Sequence, residues 1–459
     1  MVRAQRPLAA GAATLVVAQA AVVALRPRTR FPLARTASAR PIDPGSYFTP
    51  DQLDRARRFR RPQAALGWAS TAVEAGLLLA LARRRRWAPW GADQPPAATD
   101  DPEPEPAGPP PGWFERHPLA AGAAAGAVTV AAVGLAPLPL AALARRRALR
   151  AGLATGSWGL WAADAGRSTA LSGVAGAVLG AGTVGLVRRW PQRWWLPGAG
   201  LGLGASAALT FAAPLLIEPL FTRTVPADPA LTADVRALAR RAGVHVDRVL
   251  VSDASRRTTA VNAHVSGLGR SRRVVFWDTL LERFSAREAR VVVAHELSHV
   301  VHRDIPRGLA FLAIVVGPAT RATAVLAEAL TRPGAGHPDG RGGTLPVTVP
   351  GVLLAGGAVG ALLASASGQL SRAIERRADA DALRWSGDPA AMVEFQQKIV
   401  VANLGDPDPR GLARLSQLLL GTHPTTIERI AAAVGHAAEA GIALPAPRPP
   451  RLAAGEGPA

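Results

Sequence analysis

The sequence predicts a mainly α-helical membrane protein, with about seven transmembrane helices and a small α+β domain split between two hydrophilic stretches. The chain is apolar for its length, with 49% hydrophobic residues and a mean hydropathy of +0.14 over 459 residues. Seven stretches approach the 20 or so apolar residues that a helix needs to cross a bilayer. The third observation is the hydrophilic interval between the fifth and sixth stretches, where helix and strand signals alternate and end in His295-Glu296-Leu297-Ser298-His299.

The candidate spans run over 8–25, 64–82, 118–143, 169–187, 195–220, 308–330 and 346–369. The first reads either as a signal peptide, since Arg3 and Arg6 precede an apolar run holding Ala18-Gln19-Ala20, or as an uncleaved span. Apolar residues continuing to Leu25 favour the span. Several spans are rich in Ala and Gly, which suits helices packed closely on one another. Glu74 inside the second span points to an interior cavity, or to pairing with an arginine near a helix end. Trp87, Trp90, Trp190, Trp194 and Trp195 fall at span ends, as an interfacial belt places them.

The formal charge of +20 is almost all arginine, Lys398 being the only lysine. The arginines sit in short runs beside apolar stretches and not on one amphipathic face, so no nucleic-acid partner is expected. They set orientation instead. The loop after span one carries Arg26, Arg28, Arg30, Arg35, Arg40, Arg55, Arg57, Arg58, Arg60 and Arg61, which marks it as cytoplasmic. With seven spans the loop 144–168, the segment 221–307 and everything after 370 share that side, and Arg83 to Arg86 are the misfit. Composition suggests a GC-rich coding bias and hence a bacterial plasma membrane.

The chain divides into 1–220 with spans one to five, 221–307, spans six and seven in 308–370, 371–440, and a tail 441–459 expected to be disordered. A Pro-rich acidic insert at 91–112 reads as an extended outer loop. Cysteine is absent, so disulfides, thiolate metal sites and cysteine nucleophiles are excluded, and any transition metal must be held by imidazole and carboxylate.

Within 221–307 the order is a helix near 231–242, strand candidates at 249–252, 258–266 and 273–277, and then a capping box formed by Ser285 and Glu288. The helix that follows contains H-E-x-x-H. Positions i and i+4 share a helix face, so His295 and His299 can chelate one metal, while Glu296 can reach a water on it and act as general base. Paired histidines on an exposed helix face would be the bland alternative. A site of this kind needs a third ligand, a His, Glu or Asp on another hydrophilic helix. Ser371-Arg372-Ala373-Ile374-Glu375-Arg376-Arg377-Ala378-Asp379 offers two carboxylates at i and i+4, one to bind metal and one to hydrogen-bond a histidine, or both to pair with nearby arginines.

Taken together, these elements resemble the type I CAAX prenyl protease family, integral membrane zinc metalloendopeptidases with H-E-x-x-H and a later S-R-x-x-E-x-x-A-D element. The likeness includes Phe48-Thr49-Pro50-Asp51-Gln52, Glu218-Pro219-Leu220-Phe221 and Phe276-Trp277-Asp278-Thr279-Leu280-Leu281, and covers roughly residues 45 to 435. The resemblance implies a seven-helix chamber with a zincin-type metallopeptidase domain, one zinc ion per subunit, and a peptide or membrane-protein substrate, prenylated or not, cut at the cytoplasmic side of the bilayer. It implies zinc ligands His295, His299 and Glu375, with Glu296 catalytic and Asp379 beside a ligand or donating a proton. His423, followed by Pro424, and Arg429 would approach the oxyanion, and Asn262, Ala263 and His264 would lie on an edge strand that aligns substrate. His264 replaces an aromatic residue and Thr425 a second proline. Two other readings stand beside it: a membrane quality-control metalloprotease, and a non-catalytic zinc sensor or scaffold. His302, His117, His245, His337 and His436 read as loop or surface residues.

Overall fold

The computed structural model describes residues 2–28, 42–84, 113–267, 272–331 and 345–450. The Pro-rich insert, Trp87, Trp90, His337 and the last nine residues lie outside them. The membrane part begins with α1 (Val2–Leu25), α2 (Pro50–Ala82), α3 (Pro118–Leu135), α4 (Leu138–Arg150), α5 (Trp158–Arg189) and α6 (Trp195–Leu216). There follow β1 (Thr224–Pro226), α7 (Pro229–Arg241), β2 (Arg248–Ser252), β3 (Ala263–Ser266), β4 (Arg273–Trp277), α8 (Asp278–Arg283) and α9 (Ala286–Val301). Two long helices, α10 (Asp304–Leu330) and α11 (Val349–Ser386), lead to α12 (Pro389–Ala402), α13 (Leu412–Leu420) and α14 (Thr426–Glu439). Among the described residues seven segments are long and apolar enough to cross a membrane, with α3 and α4 counted together. That is the number expected.

Glycine explains the closest helix pair. Gly122 and Gly126 of α3 face Gly176 and Gly180 of α5, and a Cβ built on Gly126 or Gly180 would overlap the carbonyl of Gly176 or Gly122. Small residues four apart let the two backbones touch, which is how apolar helices associate in lipid. Gly180→Leu is therefore expected to cost about 3 kcal/mol or more, because backbone cannot yield to the new side chain. Thermal unfolding in detergent checks this, with Gly182→Leu, two residues along and facing open space, expected to leave the midpoint unchanged. Elsewhere in the bundle Thr14 is fully buried, and its hydroxyl donates to the carbonyls of Ala10 at 2.8 Å and Pro318 at 3.1 Å. Among the described residues no buried side-chain polar atom of α1 or α10 lacks a partner.

Several boundaries differ from those expected. The second span was placed at 64, but the helix starts at Pro50, where Thr49 and Gln52 form a capping box. The Arg-rich stretch 55–61 is thus helical. Most of the expected loop 144–168 is helix, from the end of α4 and the start of α5. The strand expected over 258–266 shrinks to Ala263–Ser266 because Thr258 and Thr259 bond instead to Leu153 and Gly152. Trp194 is no belt residue: it is 6% exposed and packs with Val184 and Val187. Residues 442–450 carry no helix or strand, yet Gln397 donates to the Arg448 carbonyl at 2.8 Å and Gln52 to that of Pro450 at 3.3 Å. The tail expected to be disordered from 441 is held in place that far.

The most consequential difference is α11. The seventh span was expected to end at 369, with a separate helix after it. Instead one helix of 38 residues runs from the Thr348 cap to Gly387, whose φ of +66° ends it. No proline or buried break interrupts it, so one rigid rod runs from the apolar segment to Glu375 and Asp379.

The sheet has the order β1-β2-β4-β3, with β2 and β4 parallel and the outer pairs antiparallel. Val249, Val274 and Phe276 pack with Leu238 of α7, Val291 and Leu297 of α9, and Leu383 of α11 into one core. That core fixes α9 against the end of α11. Asn403, after α12, pairs with Val261 like a strand, accepting from its N–H at 2.9 Å and donating to its carbonyl at 3.3 Å.

Candidate metal centre

The helix that carries the site is anchored at its start. Ser285 and Glu288 cap α9 reciprocally, as expected, and the fully buried Glu288 is neutralised by Lys398 Nζ at 2.8 Å. Val291, Ala294 and Leu297 point into the core. The adjoining face then brings His295 Nε2 and His299 Nε2 to 3.2 Å from each other. Glu296 contributes a carboxylate oxygen to the same group, all three ligand atoms lying within 4.8 Å of one another.

Across from them α11 supplies Glu375, 6% exposed. Its Oε2 is 3.2 Å from His295 Nε2 and its Oε1 3.6 Å from His299 Nε2. Oε2 is buried without a hydrogen-bond partner. Three donors on a tetrahedron with bond lengths near 2.0–2.1 Å stand about 3.3 Å apart. The two imidazole nitrogens stand 3.2 Å apart, and the Glu375 carboxylate comes to 3.2 Å from one and 3.6 Å from the other, so it faces both at a spacing that suits a single ion, and its unsatisfied Oε2 is what such an ion would engage.

The outer nitrogen of each imidazole is held by a carboxylate. His295 Nδ1 meets Asp379 Oδ1 at 3.0 Å, and Arg429 holds the same carboxylate through Nε at 2.9 Å and through Nη2. Asp379 is thus an acceptor on the far side of His295 from Glu375. Burial alone would lower the His295 imidazole, but the carboxylates of Asp379 and Glu375 beside it outweigh that and push it up to about 10. Burial works against the Arg429 charge too, yet Asp379 beside it holds the guanidinium above its ordinary value. His299 Nδ1 meets Asp304 Oδ2 at 3.0 Å, and Asp304 is gripped by Arg307 and Arg377. The loop before α14 sets His423 Nε2 3.4 Å from Glu375 Oε2.

Seven of the expected residues therefore converge: His295, Glu296, His299, Glu375, Asp379, His423 and Arg429. Asn262, Ala263 and His264 lie apart from that cluster at strand β3, which lies against α9 at the end of the sheet and among the described residues pairs on one side only. His264 turns to Glu218, 3.7 Å away, which Arg273 also contacts at 3.3 Å. His302 bonds Asp381 at 2.8 Å and points away from the centre.

Asp304 and its arginines were not anticipated. The signal was a carboxylate five residues after His299, but it reaches back only because Arg303 takes a left-handed φ of 53° between α9 and α10.

Seven candidate spans and an H-E-x-x-H helix faced by a buried carboxylate define a class, the membrane-embedded metallopeptidases. The profile of peptidase family M48 matches residues 227–437. A protease HtpX homolog of Paraburkholderia phytofirmans is 33% identical over 217 residues, 43% of this chain and 70% of that one. The chain belongs to peptidase family M48. An uncharacterized metalloprotease YhfN of Bacillus subtilis is 28% identical over 253 residues, 53% of this chain, and the match spans 57% of its length. CAAX prenyl protease 1 of Saccharomyces cerevisiae is 38% identical over 88 residues, 19% of each chain. The crystal structure of S. mikatae Ste24p shares the fold, with a TM-score of 0.56 at 22% identity over 67% of this chain and 74% of that one.

Family membership implies a metal ion. Carboxylates that orient ligating histidines typically change metal affinity 10- to 100-fold. Asp304→Asn, which keeps one acceptor oxygen for the arginines, is expected to weaken metal binding by about that factor. Competition with a chromogenic chelator measures it, and an unchanged affinity would show that His299 is oriented without Asp304.

Proposed function

We propose that the protein is a zinc-dependent endopeptidase that cuts peptide bonds at the membrane surface. The observation that carries this reading is the pair of imidazole nitrogens, His295 Nε2 and His299 Nε2, faced within 3.2 and 3.6 Å by the Glu375 carboxylate, with Glu296 beside them. His295, His299 and Glu375 would hold zinc. When bound there, zinc lowers the pKa of a water and polarises an amide carbonyl. Glu296 accepts the proton of the attacking water and passes it to the leaving nitrogen. His423, exposed on its loop and close to Glu375, serves as a donor to the developing oxyanion. Asp379 and Arg429 lock the His295 ring. The edge of β3 that pairs with no strand among the described residues, with Ala263 and His264 on it and Asn262 just before it, adds the substrate as a further strand.

Because His295 is held near 10 without a metal, it is protonated at neutral pH, and a ligand imidazole must be neutral. Loading is expected to release about one proton per ion, so affinity falls as pH falls. Calorimetry in buffers of different ionisation enthalpy measures the count.

The arginines support a cytoplasmic active site. Arg60 of α2 donates to the carbonyls of Leu404 at 2.9 Å and Asn403 at 3.1 Å, and Arg55 to that of Ala151 at 3.2 Å. The Arg-rich end of α2 thus lies on the catalytic side of the bundle, as the positive-inside rule asks of a cytoplasmic face in a bacterial plasma membrane. The name of the yeast relative supports a prenylated C-terminal substrate. The longer match to HtpX homologs, 217 residues against 88, favours a second reading in which unprenylated membrane proteins are degraded. Cleavage of a farnesylated peptide and its unprenylated twin by detergent-purified protein separates the two: preference for the first supports C-terminal processing, and equal cleavage supports quality control.

A further inference from the structure

Helix α13 is arranged inside out for water. Leu412, Leu415, Leu418, Leu419 and Leu420 are exposed, Leu412 at 85% and the others at 42 to 51%. The polar Ser416 and Gln417 of the same helix are only half-exposed. Gln417 donates to the His423 carbonyl at 2.7 Å, and Arg414 Nη2 lies 3.6 Å from Glu428. Leu412, Leu415 and Leu419 follow helical spacing and share one face. A surface helix in water shows the reverse, and a contiguous apolar patch of this kind marks an interaction site.

The position of α13 identifies what covers it. Arg372 of α11 donates to the Leu418 carbonyl at 3.0 Å and to that of Gly421. Gly368 approaches so closely that an added Cβ would sit 3.0 Å from the Gly421 carbonyl. These contacts tie α13 to α11 at 368–372, just where its apolar run ends, so the leucine face lies beside the end of a segment long and apolar enough to cross a membrane. Arg376, Arg410 and Arg414 stand on or beside α13, all with substantial exposure. An apolar face bordered by arginine is the pattern of a helix lying in a membrane interface.

We infer that α13 lies in the bilayer interface on the catalytic side, with its leucines among acyl chains and its flanking arginines among lipid phosphates. The helix then serves as the seat of the loop 421–425, since Gln417 and Arg372 hold that loop directly. Contact with the membrane fixes the loop that carries His423. This inference does not depend on what the centre cleaves.

The chain has no cysteine, so single nitroxide labels at Leu412→Cys, Leu415→Cys and Leu419→Cys in the full chain, in nanodiscs of zwitterionic and anionic phospholipid, test it. Collision rates with oxygen and with an aqueous nickel complex are compared with labels at Val178→Cys, exposed on span α5, and Arg240→Cys, exposed on α7. The oxygen-to-nickel ratio is expected to exceed that at Arg240 several-fold and to approach that at Val178. A ratio equal to that at Arg240 overturns the proposal in favour of water. Spin–spin broadening between copies overturns it in favour of a second copy, and a ratio that rises only with added peptide in favour of substrate. Leu412, the most exposed, serves if labels nearer the body disturb folding.

Discussion

Glu296→Gln is expected to abolish peptide cleavage, by roughly 10^2- to 10^4-fold, while leaving one metal ion per chain in place. The carboxylate belongs to the same cluster as the two imidazole nitrogens, yet the metal would rest on the other three residues. Glutamine keeps size and polarity and removes the ability to accept a proton. Metal analysis of the purified variant alongside its turnover separates the two effects. Loss of metal together with activity would make Glu296 a ligand, and undiminished turnover would place the base elsewhere.

Glu375→Ala is expected to have the opposite signature, with metal falling from one ion per chain to well below stoichiometry and activity disappearing with it. Two imidazoles alone leave the tetrahedron without its third protein corner. The neighbouring Arg376→Ala provides the control, because that side chain is half-exposed and only 3.9 Å from Glu428 at closest. It is expected to retain full metal content. A Glu375→Ala protein that still binds one ion tightly would mean that another carboxylate, with Glu296 of the same cluster the nearest candidate, can take its place.

The chemistry of the centre was legible because its parts are local. His295 and His299 are fixed by helical spacing, and so are Glu375 and Asp379, so two short motifs carried four side chains whose facing the fold then supplied. The number of spans was legible for a similar reason, since apolar length is a property of a continuous stretch. What escaped the sequence depends on distant or conformational choices. Asp304 reaches His299 through the left-handed turn at Arg303, and a non-glycine residue gives no sign that it will adopt one. The boundary at 369 marked a change in polarity, but α11 crosses it without a change in backbone. Trp194 had the composition of a belt residue and is buried by helices far away in sequence. The exposure of the leucines of α13 likewise rests on distant partners, since Arg372 of α11 holds the backbone carbonyl of Leu418 and Glu428 of α14 faces Arg414.

The central claim, a metal-dependent peptidase acting at a membrane, is tested most directly by cleavage of a membrane-anchored peptide by the reconstituted chain. Products are identified by mass before metal removal, after verified removal by a chelator, and after return of one equivalent of zinc. The account predicts cleavage that vanishes with the metal and returns with the single equivalent. Cleavage that persists in protein shown to be metal-free would contradict it, as would its absence in protein holding one zinc per chain across a broad panel of anchored peptides.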